Sequence, residues 1–180
     1  MTTLSVVADV AAHPLVALGA VVVTMLGENR LAVRHERMLR ARGATEPPDD
    51  VYGSMQVAYP LGFAACLLEG WWRGPDWTAV SAAGLLVFTA GKAIKYVAMA
   101  TLGDRWTFRV LPLPGAPPVR RGVYRWLRHP NYVGVGGEIL GIALWMRAPV
   151  AGALFAVGFG WLLRARIRVE EQALESAAVR

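Results

Sequence analysis

The chain has 180 residues, room for one compact unit, and 55% of them are hydrophobic, with a mean hydropathy of +0.38. The single cysteine, Cys66, excludes an internal disulfide framework and reads as a small core or lipid-facing residue, and a start that carries Asp9 and no basic residue before Arg30 makes a poor signal peptide. The net charge of +6 invites a nucleic-acid reading, which the placement of the charges along the chain removes.

Apolar stretches of the length needed to cross a bilayer, about 20 residues as helix, predict an all-α integral membrane protein. The first predicted span covers residues 6–26, with His13-Pro14 as a kink or an outer end. Arg30, Arg34 and Arg37 follow at helical spacing and read as an interfacial helix that Pro47-Pro48 ends. Spans two and three are expected at residues 55–72 and 77–102, separated by a turn around Pro75. The polar stretch 103–128 carries Pro112, Pro114, Pro117 and Pro118 and cannot be one helix. Two short apolar segments, 132–145 and 149–163, then form a helical hairpin about Met146-Arg147-Ala148, and a polar tail starts at Arg164.

The first and third loops and the tail hold fifteen of the nineteen Lys and Arg residues, while the second and fourth connections hold only Arg73 and Arg147. Alternating basic loops predict five membrane segments with the N-terminus outside and the C-terminus in the cytoplasm, so the charges sort by membrane side and no nucleic acid is required. Trp71, Trp72, Trp77 and Trp145 fall near the predicted outer ends, as interfacial aromatics do. The chain reads as a single domain, with residues 1–102 as a three-span scaffold and 103–180 as loop, hairpin and acidic tail.

Among ionisable residues within the spans, Lys92, Lys95 and Glu138 are costly in hydrocarbon and are functional candidates by default. At about 1.5 Å of rise per residue, Lys95 and Glu138 sit about 10 Å from the inner ends of their spans. They are expected to pair, structurally first and chemically second; Glu69, near an outer end, reads as solvated. Arg166 and Glu170 are four apart and share a helix face if the fifth segment continues as helix. An arginine fork can grip a carboxylate or enolate, and a glutamate can orient a polar group or take a proton; an exposed ion pair is the bland alternative. His129 and Tyr132 flank Pro130, itself suited to the first helical position, at the mouth of the fourth segment. They read as a polar-ligand site or as interface anchors. Gly134, Gly136, Gly137, Gly158 and Gly160 permit close helix packing. No glycine-rich nucleotide motif and no metal-ligand spacing is present. Because a hairpin brings its ends together, the 128–132 motif and Glu170-Glu171 are expected to share one pocket at one membrane face.

The run Gly122-Val123-Tyr124-Arg125-Trp126-Leu127-Arg128-His129-Pro130-Asn131-Tyr132-Val133-Gly134, with Glu170-Glu171 beyond the hairpin, resembles the isoprenylcysteine carboxyl methyltransferase and phospholipid methyltransferase group. The resemblance covers the last part of the chain and implies a membrane enzyme using S-adenosylmethionine in a cytoplasm-facing pocket. It implies that Tyr124, His129, Pro130 and Tyr132 line the cofactor site with Glu171, and that the backbone of residues 116–119, ending at Val119, closes over it. Arg166 and Glu170 match the substrate-side pair, Arg166 holding the acceptor oxygen and Glu170 orienting Arg166 or taking the proton. Residues 105–110 with Pro114-Gly115 resemble a bacterial branch, some members of which methylate hydroxyls of long-chain alkylpyrones or alkylresorcinols. Bacterial inner-membrane residence follows from that likeness. Many relatives carry an aromatic- and proline-bearing tail after the acidic pair, where this chain stops at Arg180. The implied partners are a lipophilic acceptor and membrane lipid, with no metal. Two other readings stand beside this one: an NADPH-dependent sterol-type reductase, which has a similar Arg-His-Pro-Asn-Tyr stretch, and a non-catalytic membrane scaffold.

Overall fold

The computed structural model describes residues 10 and 13–178, and all regular structure among them is helical. The helices are α1 (Pro14–Ala41), α2 (Tyr52–Arg73), α3 (Ala79–Leu102), α4 (Pro130–Trp145) and α5 (Pro149–Ala178), with 3-10 turns at Gly103–Arg105 and Gly122–Arg125. The expected start of the first span at Val6, with Asp9, lies outside the described residues, as does Arg180.

Local chemistry sets the helix starts. His13 caps α1, its Nδ1 accepting from the Leu15 N–H at 3.3 Å, and Pro14 takes the first position, where a missing N–H costs nothing. His13-Pro14 therefore marks an end and not a kink. Thr78 caps α3 by accepting from the Ser81 N–H at 3.2 Å. Pro60 lies inside α2 and cannot donate to the carbonyl of Gln56, which loses its helical partner.

Two expected boundaries move. The first span and the interfacial helix are one 28-residue helix. Between Leu26 and Ala41 Gly27 weakens helix most, by about 1 kcal/mol, too little to break a run rich in good formers. At about 1.5 Å per residue α1 is about 42 Å long, beyond the roughly 30 Å hydrocarbon thickness. The fifth segment likewise does not stop near Leu163 but continues through the polar tail as a 30-residue helix, so the hairpin is unequal: 16 residues against 30. No proline or glycine interrupts residues 161–178. Arg147 makes the hairpin turn with φ 52 and reaches Asp76 at 2.7 Å.

α3 and α4 are in backbone contact. A Cβ added at Gly84 would lie 2.1 Å from the Trp145 nitrogen, and one at Gly141 2.4 Å from the Phe88 nitrogen. Gly91 and Gly134 face each other in the same seam. Of the glycines singled out from sequence, Gly134 and Gly137 pack in this way, whereas Gly136, Gly158 and Gly160 face open space. Close approach lets α3 and α4 interlock their charges. The Lys95–Glu138 contact is present at 3.3 Å, but Lys92 is closer to Glu138 at 2.7 Å. Glu28 of α1 completes a ring, at 2.8 Å from Lys92 and 2.6 Å from Lys95, and the Tyr59 hydroxyl of α2 donates to Glu138 at 2.8 Å. Two cations and two anions, all buried, thus tie four helices together.

Phe63, Phe88, Phe155 and Phe159 form the apolar core with Trp145, which is buried against Phe88 and does not sit at an interface as expected. Trp71 and Trp72 are exposed. Large apolar side chains such as Leu86, Leu154, Val157 and Trp161 point outward, the inverse of a water-soluble surface. By length and composition 14–41, 79–105 and 149–177 are apolar enough to cross a membrane.

The glycine seam is testable. Gly141→Leu is expected to lower stability by about 3 kcal/mol or more, since the side chain meets backbone that cannot yield. Gly136→Leu, where space is open, should leave it within about 1 kcal/mol. Thermal unfolding in detergent measures both.

Candidate active site

The stretch between α3 and α4 folds back over the start of α4 and the later turns of α5, and it is held at several points. The Gly115 N–H donates to the Ala177 carbonyl of α5 at 3.1 Å, and Arg105 donates to the Pro117 carbonyl at 2.8 Å. Trp106, 2% exposed, donates from its indole to Asn131 at 3.2 Å, and its carbonyl accepts from the buried His35 Nδ1 of α1 at 2.8 Å. Arg109 is clamped by Glu46 at 2.5 Å and Glu36 at 3.5 Å and lies over the Tyr52 ring at 4.4 Å. Burial works against its charge, but the Glu46 hydrogen bond and the two carboxylates outweigh it and hold the guanidinium above its ordinary range.

The side chains meet at Tyr132, at the start of α4. Its hydroxyl donates to Glu170 and accepts from Arg166 Nε at 3.4 Å. Arg166 is 5% exposed and bonded through each of its three nitrogens: besides Nε, one Nη donates to Asp50 and the other to the Phe108 carbonyl at 2.5 Å. Asp50 in turn accepts from the Tyr52 and Val110 N–H groups, both at 3.1 Å. Asp50 and the Phe108 carbonyl hold the guanidinium directly, and Glu170, one turn further along α5, reaches it through the Tyr132 hydroxyl. His129 stacks on Tyr132 with centroids 5.5 Å apart and contacts Glu171 at 3.2 Å.

Two cavities flank this junction. One, of about 200 Å³, lies under the loop and is lined by Trp106, Val119, Tyr124, His129 and Glu170 among others. The second, of about 330 Å³, lies between α1, α2, α4 and α5 and is lined mainly by apolar groups such as Met25, Met55, Phe108, Val135, Phe159 and Leu163. Thr107, Asn131, Tyr132 and Arg166 line both. Burial, then the charge of Glu170, pushes the Tyr124 phenol well above its ordinary value, so it stays a protonated donor at neutral pH.

Of the residues singled out from sequence, Val119, Tyr124, His129, Tyr132, Arg166 and Glu170 surround the first cavity. Pro130 is buried as the first residue of α4, and Glu171 stands to the side, against His129. Trp106 and Phe108 lie in the 105–110 run, whose likeness assigns them no place in the site, and Asp50 is not distinguished at all. Asp50 sits in a loop beside Pro47-Pro48, and nothing local distinguishes it from a solvated turn residue.

A profile of the isoprenylcysteine carboxyl methyltransferase family matches residues 83–176. The chain is 30% identical over 172 residues to the Bacillus subtilis protein YpbQ, whose function is uncharacterised, covering 91% of this chain and 97% of that one. It is 34% identical over 99 residues to the rat protein-S-isoprenylcysteine O-methyltransferase and 31% over 99 residues to the human one, in each case 54% of this chain and 35% of the enzyme. No solved structure gives a significant match.

Removing Asp50 strands a buried guanidinium. Asp50→Ala is expected to cost about 3 kcal/mol or more, whereas Asp50→Ala with Arg166→Met should cost clearly less than the two single changes summed, because the orphaned charge is gone. Unfolding of the three variants in detergent closes this cycle.

Proposed function

Because the chain belongs to the isoprenylcysteine carboxyl methyltransferase family and is a methyltransferase, we propose that it methylates a carboxylate or acidic hydroxyl of a lipophilic acceptor, with S-adenosylmethionine as donor, at the cytoplasmic face of the membrane. One observation carries the reading: the Tyr132–Arg166–Glu170 junction opens on one side to a cavity where Arg105, Arg109, Arg128 and Glu170 stand among aromatic and aliphatic residues, and on the other to a more apolar chamber. A transfer between a polar donor and a lipid-like acceptor needs two such compartments meeting at one set of polar groups.

The first cavity fits the donor's chemistry. Glu170 offers a carboxylate to a cationic group, Arg105 and Arg128 offer guanidiniums to a carboxylate, and Trp106, Tyr124 and Tyr132 offer ring faces. When bound there, S-adenosylmethionine supplies a sulfonium methyl that is transferred to an acceptor oxygen. The chain's own work is positioning. Arg166, held rigid by Asp50 and Phe108, presents positive charge to an acceptor oxygen. An acceptor hydroxyl would donate to the Tyr132 oxygen, which passes its own proton to Glu170 as it takes the acceptor's; a carboxylate acceptor has no proton to lose and is held by the Arg166 charge.

Lateral entry for the acceptor is supported by the chamber's walls, since Leu26 and Gln56, on helices that touch little, line it and are exposed. The printed names of the mammalian relatives support a prenylcysteine-like acceptor, and the likeness of residues 105–115 to the bacterial branch supports an alkylpyrone or alkylresorcinol. Enrichment of basic residues in alternate connections supports the cytoplasmic placement.

Calorimetric titration of the purified protein is expected to show binding of S-adenosylhomocysteine and none of NADPH; the reverse would replace this reading with the reductase, and neither with a scaffold. Tyr132→Phe should lower kcat by about 100-fold or more while changing S-adenosylhomocysteine affinity by less than about threefold, since one hydroxyl at the reacting centre is lost and the ring remains. Equal loss of both would remove the role given to that hydroxyl.

A further inference from the structure

Of the residues that line both cavities, three have their polar groups occupied. The Thr107 hydroxyl donates to the Arg109 carbonyl at 3.2 Å and accepts from the Arg109 N–H at 2.7 Å. The Tyr132 hydroxyl donates to Glu170 and accepts from Arg166, whose three nitrogens are all bonded. Asn131, the second residue of α4, is the exception.

Trp106 fixes which way the Asn131 amide points. An indole N–H can only donate, so the atom 3.2 Å from it is the Asn131 oxygen, and the amide nitrogen faces away. Trp106 is itself held in place, being buried and tied through its carbonyl to His35. The Asn131 nitrogen carries two N–H donors. Neither has a partner among the described residues, and the nitrogen is not sealed off by its neighbours. An amide anchored through its oxygen, with both donors uncommitted where the two cavities meet, is suited to hold an oxygen atom that arrives there.

Resting on the reading given under Proposed function, we propose that Asn131 is an acceptor-binding residue. Its amide N–H donates to one lone pair of the acceptor oxygen, beside the Arg166 charge, and leaves another lone pair turned toward the first cavity. The bond serves a hydroxyl and a carboxylate alike, because both keep lone pairs when held at Tyr132 or Arg166. Trp106 aims the amide, so the loop that walls the first cavity is coupled to the group that holds the acceptor. Negative charge on the acceptor oxygen falls as its new bond forms, so a donor to that oxygen binds most strongly before the transfer. Its work is alignment, and its loss is read chiefly in KM.

The test is transfer of labelled methyl from S-adenosylmethionine to 5-pentadecylresorcinol and to N-acetyl-S-farnesylcysteine, with calorimetric titration of the same proteins by S-adenosylhomocysteine. Asn131→Ala removes the donors and the oxygen together. Asn131→Asp removes the donors and keeps an oxygen for Trp106. Both variants are expected to raise KM for the methylated acceptor by about tenfold or more, with a smaller change in kcat, and to hold S-adenosylhomocysteine affinity within about threefold. Anchoring of Trp106 as the sole role of Asn131 gives a different pattern. Asn131→Asp then stays near wild type, or Asn131→Ala loses S-adenosylhomocysteine affinity along with acceptor binding, because Trp106 lines the first cavity. Either result overturns the proposal, and so does a wild-type KM in Asn131→Ala. Should Asn131→Ala fail to fold, Asn131→Asp, which keeps the partner of Trp106, decides by the same two readings. Methylation of neither acceptor, with S-adenosylhomocysteine still bound, overturns the proposal and leaves the methyltransferase reading standing. Failure to bind S-adenosylhomocysteine at all removes that reading itself.

Discussion

Where Gly84, Gly91, Gly134 and Gly141 meet, α3 and α4 touch with no side chain between them, and the rest of the molecule is arranged around that contact. It brings Lys92 and Lys95 within reach of Glu138, and a charge ring so formed can be closed from α1 by Glu28 and from α2 by Tyr59. The seam also fixes the start of α4, and with it His129, Asn131 and Tyr132, relative to the loop that leaves α3. Without close approach the two lysines would share Glu28 alone, leaving one buried positive charge without a partner, a state that costs several kcal/mol. Packing and electrostatics are one constraint here.

The site inherits its order from that frame. Tyr132 stands on a fixed helix start, and Arg166 is held by groups from two different loops, Asp50 after α1 and Phe108 after α3. α5 reaches it because the helix does not stop at the apolar boundary. Residues 164–178 carry Arg166 and Glu170 on one face and meet the loop at Ala177.

Much of this was legible in the residues. Apolar runs and proline placement gave the all-helical class and the irregular loop, and the run from Tyr124 to Tyr132 with Glu170 pointed to the cavity. What was not legible was long-range or unpunctuated. The ends of the apolar runs at Leu26 and Leu163 mark changes of surroundings and not of backbone conformation, so α1 and α5 run on. Glu28 sits in a polar stretch and looks solvated until α3 is placed against it. Asp50 reads as a turn residue because its partner is 116 positions away. Trp145 reads as an interface anchor because sequence shows its place at a span's end but not Phe88 of α3, against which its ring packs.

The balance of the ring, two lysines against two glutamates, has a bearing on energised membranes. A single unneutralised charge carried across a full membrane potential experiences about 2.3 kcal/mol per 100 mV. A lone lysine between these helices would couple their packing to voltage. With opposite charges a few ångströms apart at nearly one depth, the field does almost no net work on the cluster, so the frame that holds Tyr132 is indifferent to whether the membrane is polarised.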